Sequence, residues 1–168
     1  MTQPAIVSQP IAAATAAMST ANLPTLRLDC NRNVNLIVVH CTASRCDRQL
    51  TPESLDRLHR QRGFTACGYH FYITRDGVTH VCRPIDHIGA HARCFNDHSI
   101  GVCYEGGLDE QGQPADTRTM EQKIALIALL RQLRLDYPEA RIAGHNELST
   151  NVHKSCPCFK ASWEYKDL

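Results

Sequence analysis

The sequence predicts an α/β fold in which a central mixed β-sheet is flanked by helices. Three observations carry this expectation. Short, β-branched apolar runs occur at residues 36–39 and 99–105, and continuous runs of this kind belong to strands buried on both faces. An Asp76-Gly77 pair separates two strand-like stretches, as in a hairpin. Two capped helical segments, starting at Thr51 and Thr119, interleave with the strands. A length of 168 residues leaves room for one domain with a proper core and little for a second.

Residues 1–24 are rich in Ala, Thr, Ser, Gln and Pro and are expected to form a poorly ordered tail, with a single domain over residues 25–168. Leu36-Ile37-Val38-Val39 reads as a buried strand ending at His40. Thr51 caps the first helix, Pro52 suits its first turn and Glu53 its positive end. Leu55 and Leu58 are its expected buried stripe, and Gly63 its end. Residues 69–74 alternate, and residues 78–83 form the return strand. Residues 99–105 make a further buried strand closed by Gly106-Gly107, followed by a polar loop over 108–116. Thr119 and Gln122 have capping-box spacing and open the longest helix, which runs to about Asp136. Its expected buried stripe is Ile124, Ile127 and Leu130, widened by Leu126, Leu129 and Leu133. Tyr137-Pro138 stops it, and Arg141-Ile142-Ala143 is a short strand leading to His145.

The net charge is +1 with histidines neutral, and the basic residues are scattered among acids. That balance argues against a nucleic-acid partner, which needs clustered Lys and Arg. No apolar run is long enough to cross a bilayer. The first 22 residues lack a basic start, so no secretory signal is recognised and synthesis in the reducing cytoplasm is expected. Nine cysteines would suit a disulfide framework. Cys41, Cys82 and Cys103 instead lie in or beside apolar stretches, where a free thiol acts as a small hydrophobe. Spacing alone leaves pairs such as Cys46 with Cys67 or Cys94 open.

The chemistry-bearing residues are few. A strand-end histidine such as His40 or His145 is often only a satisfied core polar group. Two of them together with Cys156 are more informative, because zinc accepts imidazole nitrogen and thiolate sulfur together and a catalytic site keeps its fourth position open. Strand ends also supply a rigid rim. This reading makes the chain a zinc hydrolase. A closed structural site of His145, His153, Cys156 and Cys158 is the alternative, and it leaves His40 unexplained. Lys154 is either a solvated loop lysine or a positive charge aimed at a developing oxyanion. Tyr69 is either an interfacial aromatic or a donor to the tetrahedral intermediate. His91 lies in a loop and lines the cleft on this reading. His59 reads as a surface residue. Glu105 is either a general base or the start of a plain turn.

Taken together, Ile37-Val38-Val39-His40-Cys41-Thr42-Ala43, Gly68-Tyr69-His70-Phe71-Tyr72-Ile73, Arg75-Asp76-Gly77, Arg83-Pro84, Ile88-Gly89-Ala90-His91, Asn96, Ser99-Ile100-Gly101-Val102, Gly144-His145 and Lys154-Ser155-Cys156-Pro157 carry a likeness in order along residues 35–159. They resemble the zinc-dependent N-acetylmuramoyl-L-alanine amidases of the bacteriophage-lysozyme type, whose fold is shared with peptidoglycan recognition proteins. The resemblance implies zinc held by His40, His145 and Cys156, a catalytic pair of Tyr69 and Lys154, and His91 near the substrate. It implies peptidoglycan as the partner, a monomer, and action on the cell wall after release or delivery, as for an endolysin. Cys156 favours an enzyme over the competing class, a non-catalytic peptidoglycan-binding module of the same fold. Cys156, Tyr69 and Cys103 together favour the phage-like branch over recycling amidases.

Overall fold

β1 (Leu36–Cys41) runs through the middle of the molecule and is buried along its whole length. The computed structural model describes residues 32–148 and 154–168; the tail expected at residues 1–24 and His153 of the alternative site lie outside the described residues. After β1 come β2 (Ser44–Arg45), α1 (Pro52–Gln61), β3 (Phe71–Ile73), β4 (Thr79–Val81), β5 (Ser99–Tyr104), β6 (Gly107–Leu108), α2 (Met120–Asp136), β7 (Arg141–Gly144) and α3 (Ala161–Glu164). Five strands form one sheet in the order β4-β3-β5-β1-β7. β5 and β7 flank β1 in parallel, β3 joins β5 in parallel, and β4 closes the edge antiparallel. The sheet is therefore mixed, as expected, and β2 pairs with β6 in a separate two-stranded sheet. No helix among the described residues is long and apolar enough to cross a membrane.

Strand alternation divides the side chains between the two faces. Ile37, Val39, Phe71, Ile73, Ile100, Val102 and Tyr104 pack in one core with Leu126, Leu129, Leu130 and Leu133 of α2. Full burial of each such leucine contributes about 1.5–3 kcal/mol. The opposite face carries Leu36, Val38 and Ala143 in one cluster, and Leu55 of α1 with Cys67, Tyr72 and Cys103 in another. His40 has the parity of Leu36 and Val38, so it belongs to the face away from α2.

Both helices begin at the expected caps: Thr51 accepts from Ser54 N–H, and Thr119 with Gln122 forms a reciprocal capping box. Their buried faces differ from expectation. In α2, Ile124 is 63% exposed and Ile127 only half-buried. The cause is Gln122, which is fully buried and donates from Nε2 to the carbonyls of Ile73 (3.1 Å) and Glu105 (2.9 Å). Those bonds turn the helix so that positions 122, 126, 129, 130 and 133 face the sheet. In α1, Leu58 is 47% exposed and His59, expected at the surface, is buried. His59 Nδ1 accepts the Gly68 N–H at 2.8 Å, which ties α1 to the segment entering β3.

His70 shows how polar groups are satisfied on the α1 face. Its Nδ1 accepts the Gly101 N–H (3.0 Å) and its Nε2 faces the His87 carbonyl (3.0 Å), so the ring is neutral with the proton on Nε2. Burial lowers its pKa to about 4. In the unfolded chain the same ring binds its proton near the ordinary value of about 6.5. The unfolded state thus takes up the extra proton first, and stability is lost as pH falls from 6.5 towards 4.

Two outcomes test this architecture. Gln122→Leu should cost roughly 1–3 kcal/mol in denaturant unfolding, because it removes two buried hydrogen bonds. His70→Asn keeps an acceptor for Gly101 but cannot titrate. Its melting temperature should therefore depend less on pH between 6.5 and 4 than that of the wild type.

Candidate metal centre

The site begins with strand register. β1 and β7 pair in parallel with Val39 opposite Gly144, so the next residues, His40 and His145, emerge side by side at the carboxyl end of the sheet. Their ring centroids are 4.5 Å apart. This rim is where open α/β sheets place their ligands. His145 opens a 3-10 turn over His145–Glu147. The Glu147 carboxylate holds that turn, accepting from Gly144 N–H (2.6 Å) and from Ser162 N–H (3.1 Å) of α3.

Cys156 comes from the segment beyond β7. Asn146 N–H donates to the Cys156 carbonyl (2.7 Å), and Cys41 N–H donates to the Cys156 sulfur (3.2 Å), which aims the thiol at the end of β1. Tyr104 Oη donates to the Pro157 carbonyl at 2.6 Å. The Arg118 guanidinium lies 3.4 Å from the Phe159 ring centroid and pairs with Asp116 and Glu164, pinning the same segment to α3. Cys158 does not join the donor set: its sulfur donates to the Gly107 carbonyl at 3.2 Å.

One donor atom each from His40, His145 and Cys156 lie within 4.8 Å of one another. His40 Nδ1 stands 3.7 Å from the Cys156 sulfur. A tetrahedral ion with bonds of about 2.0 Å to nitrogen and 2.3 Å to sulfur puts such donors about 3.5 Å apart. The set therefore fits a metal ion that takes mixed nitrogen and sulfur ligands. Burial first, then His91, His145 and Lys154, hold His40 well below the usual imidazole range. Burial and then Lys154 lower His145 to about 4. Both rings are neutral at neutral pH and keep a lone pair for a ligand bond.

Around the three donors stand the other expected residues. His91, expected near the substrate, is half-buried, with its Nδ1 3.0 Å from His40 Nε2 and its Nε2 3.4 Å from Ser99 Oγ. A Cβ on Gly89 or Gly101 would come within 2.5 or 2.6 Å of that ring, so both positions require glycine's missing side chain. Tyr69 stacks at 5.1 Å from the His40 ring. Burial raises its phenol well above the ordinary value, so it stays a hydroxyl. Lys154 is exposed, with Nζ 3.1 Å from His145 Nε2. Glu105 is buried and spent on structure, accepting from Leu50 N–H (2.6 Å) and Arg75 N–H (2.9 Å), which removes it as a general base.

Several contributors have structural roles that the sequence reading did not assign. Asn96 Oδ1 accepts the backbone N–H groups of His91 (2.9 Å) and Ala92 (2.8 Å) and shapes the loop that delivers His91. His59, Glu147 and the Cys41 N–H act through contacts remote in sequence, which no local pattern encodes.

Comparison with known proteins agrees with this geometry. The family model described as N-acetylmuramoyl-L-alanine amidase matches residues 31–159. The endolysin of Enterobacteria phage K11 is 36% identical over 121 residues, covering 72% of this chain and 78% of that protein. The endolysin of Escherichia phage T7 is 34% identical over 138 residues, covering 81% of this chain and 89% of that one. Among solved structures, the N-acetylmuramoyl-L-alanine amidase LysC from Clostridium intestinale superposes with a TM-score of 0.66 at 32% identity, covering 80% of this chain and 83% of that chain. The chain belongs to the N-acetylmuramoyl-L-alanine amidase family.

Proposed function

We propose that this chain is a zinc-dependent endolysin-type amidase that hydrolyses the amide bond between N-acetylmuramic acid and L-alanine in peptidoglycan. The observation that carries this reading is the convergence of His40, His145 and Cys156 donor atoms within 4.8 Å at the carboxyl rim of the sheet. Zinc bound there would supply Lewis-acid polarisation of the scissile carbonyl and acidification of a water. All three ligands come from one chain, so the site needs no second copy, in keeping with a monomeric enzyme. It meets the wall after release or delivery.

The chain's own residues supply the rest. His91 Nδ1 takes the hydrogen bond of His40 Nε2–H, leaving the His40 Nδ1 lone pair directed at the centre; an outer hydrogen bond of this kind orients a ligating ring. Lys154 brings an exposed ammonium to the rim beside His145, where it meets the negative charge that grows on the carbonyl oxygen. Tyr69 packs against the cluster that holds Cys103, whose thiol faces the Tyr104 carbonyl, and its phenol donates to the oxyanion as the charge grows. Neither side chain needs to change its protonation state to donate.

Mass spectrometry of sacculi digested by the purified chain should show new L-alanine amino termini and intact glycan strands. A chelator should abolish their release. Binding to sacculi without such cleavage would instead identify a recognition module. Cys156→Ser should lose both metal and turnover. Lys154→Ala and Tyr69→Phe should retain the metal while kcat falls on the order of 10²–10³-fold; unchanged turnover would remove that residue from the catalytic pair. His91→Phe fills the same pocket without the hydrogen bond and should weaken zinc affinity by about 10–100-fold in a competition titration.

A further inference from the structure

Two thiols that the hydrolytic chemistry does not use stand together behind Tyr69. Cys67 is 1% exposed and Cys82 is half-buried. Both line a cavity of about 150 Å³ together with Asp56 and His80. Cys82 packs against the small buried cluster that holds Cys67. The backbone enforces this pairing from both sides. Cys82 N–H donates to the His70 carbonyl (2.8 Å), extending the β3–β4 ladder by one residue. The next residue, Arg83, donates from Nε to the Cys67 carbonyl (2.8 Å), while Asp56 Oδ1 accepts the Cys67 N–H (2.7 Å).

The neighbouring Cys82 thiol, helped by His59, lowers the Cys67 thiol against the effect of its burial, and the same contact raises Cys82. The pair therefore gives up one proton readily and holds the second between the two sulfurs. A thiolate beside a second thiol is the arrangement that undergoes disulfide exchange. The other thiols have different neighbours: Cys156 sits in the metal centre with Cys41 against it, Cys158 faces the Gly107 carbonyl, and Cys103 faces the Tyr104 carbonyl.

We propose that Cys67 and Cys82 are a redox-modifiable pair that closes to a disulfide when the folded chain meets a low-molecular-weight disulfide such as oxidised glutathione. Half-buried Cys82 is the sulfur such a molecule can reach. The shared proton passes to Cys67 as the Cys82 sulfur attacks one sulfur of the small disulfide, whose S–S bond breaks; one thiolate leaves, takes the proton from Cys67, and a mixed disulfide remains. The Cys67 thiolate then attacks the Cys82 sulfur and expels the second thiolate. Two electrons pass from the two cysteines to the small disulfide, which departs as two thiols carrying the two protons. The resulting ring encloses Tyr69, β3 and β4, and it staples the wall of the cleft that holds Tyr69. The bond is independent of the metal and of hydrolysis.

The test uses the full, zinc-loaded chain incubated with oxidised glutathione, alkylated, and mapped by mass spectrometry without reduction. The expected result is a peptide pair linked through Cys67 and Cys82 that accumulates before any other cysteine pair. The melting temperature should rise by roughly 5–10 °C and fall back with dithiothreitol. Cys82→Ser should lose the linkage and the rise, whereas Cys94→Ser, at an exposed cysteine, should keep both. Should Cys82→Ser fail to fold, the map of the wild-type chain decides alone. The proposal is overturned if Cys67 and Cys82 remain alkylatable or join other cysteines first, or if the linked chain melts no higher than the reduced one.

Discussion

Parallel pairing of β1 with β7 is the constraint on which the site depends. With Val39 opposite Gly144, the two histidines that follow must emerge together, on the face turned away from α2. A shift of one residue in this register would send one ring into the leucine core, because side chains alternate across a strand. The hydrophobic content of β1 makes that shift costly: Ile37 and Val39 fill the α2 face while Leu36 and Val38 fill the other, all buried. Core packing and site geometry are thus the same fact seen from two sides. The rigidity needed for three ligands comes from burial that the fold requires anyway.

Behind the donors lies a layer of imidazoles whose tautomers are set by one another and by the backbone. His70 is committed by Gly101 N–H and the His87 carbonyl, His91 faces His40 and Ser99, and the His70 and His91 rings meet edge to face at 5.7 Å. Arg32 reaches across this layer to the carbonyls of Ile85 and Ser99. A buried network of this kind is stable only when its members are satisfied, and here each imidazole has a defined partner. The face carrying the site is therefore polar in depth, and the α2 face is apolar in depth. One sheet can hold both because its two surfaces are independent.

The chain concentrates its charged chemistry at the edge of that layer. Glu105, at the end of β5, serves the turns that begin at Leu50 and Arg75 rather than catalysis. Lys154 is the exposed cation at the rim and Tyr69 the half-buried phenol against the His40 ring. The two differ in how they are held. Tyr69 is bounded by His40, His59 and His91. Among the contacts described, Lys154 Nζ has only His145 Nε2 near it, at 3.1 Å.

The sequence by itself determined the fold class, both helix caps, the hairpin and the buried strand that carries His40, because each rests on local chemistry: periodicity, capping residues and turn-forming pairs. The likeness along residues 35–159 also implied the three donors that the structure brings together. Tertiary structure decided what local chemistry cannot express. Which stripe of α2 is buried depends on Gln122 reaching carbonyls of Ile73 and Glu105. His59 is buried because Gly68 offers it an N–H. His91 meets the His40 ring because Gly89 and Gly101 leave room for it there. Each of these choices is made by a hydrogen bond or a close approach between segments remote along the chain, and such contacts exist only once the sheet has brought those segments together.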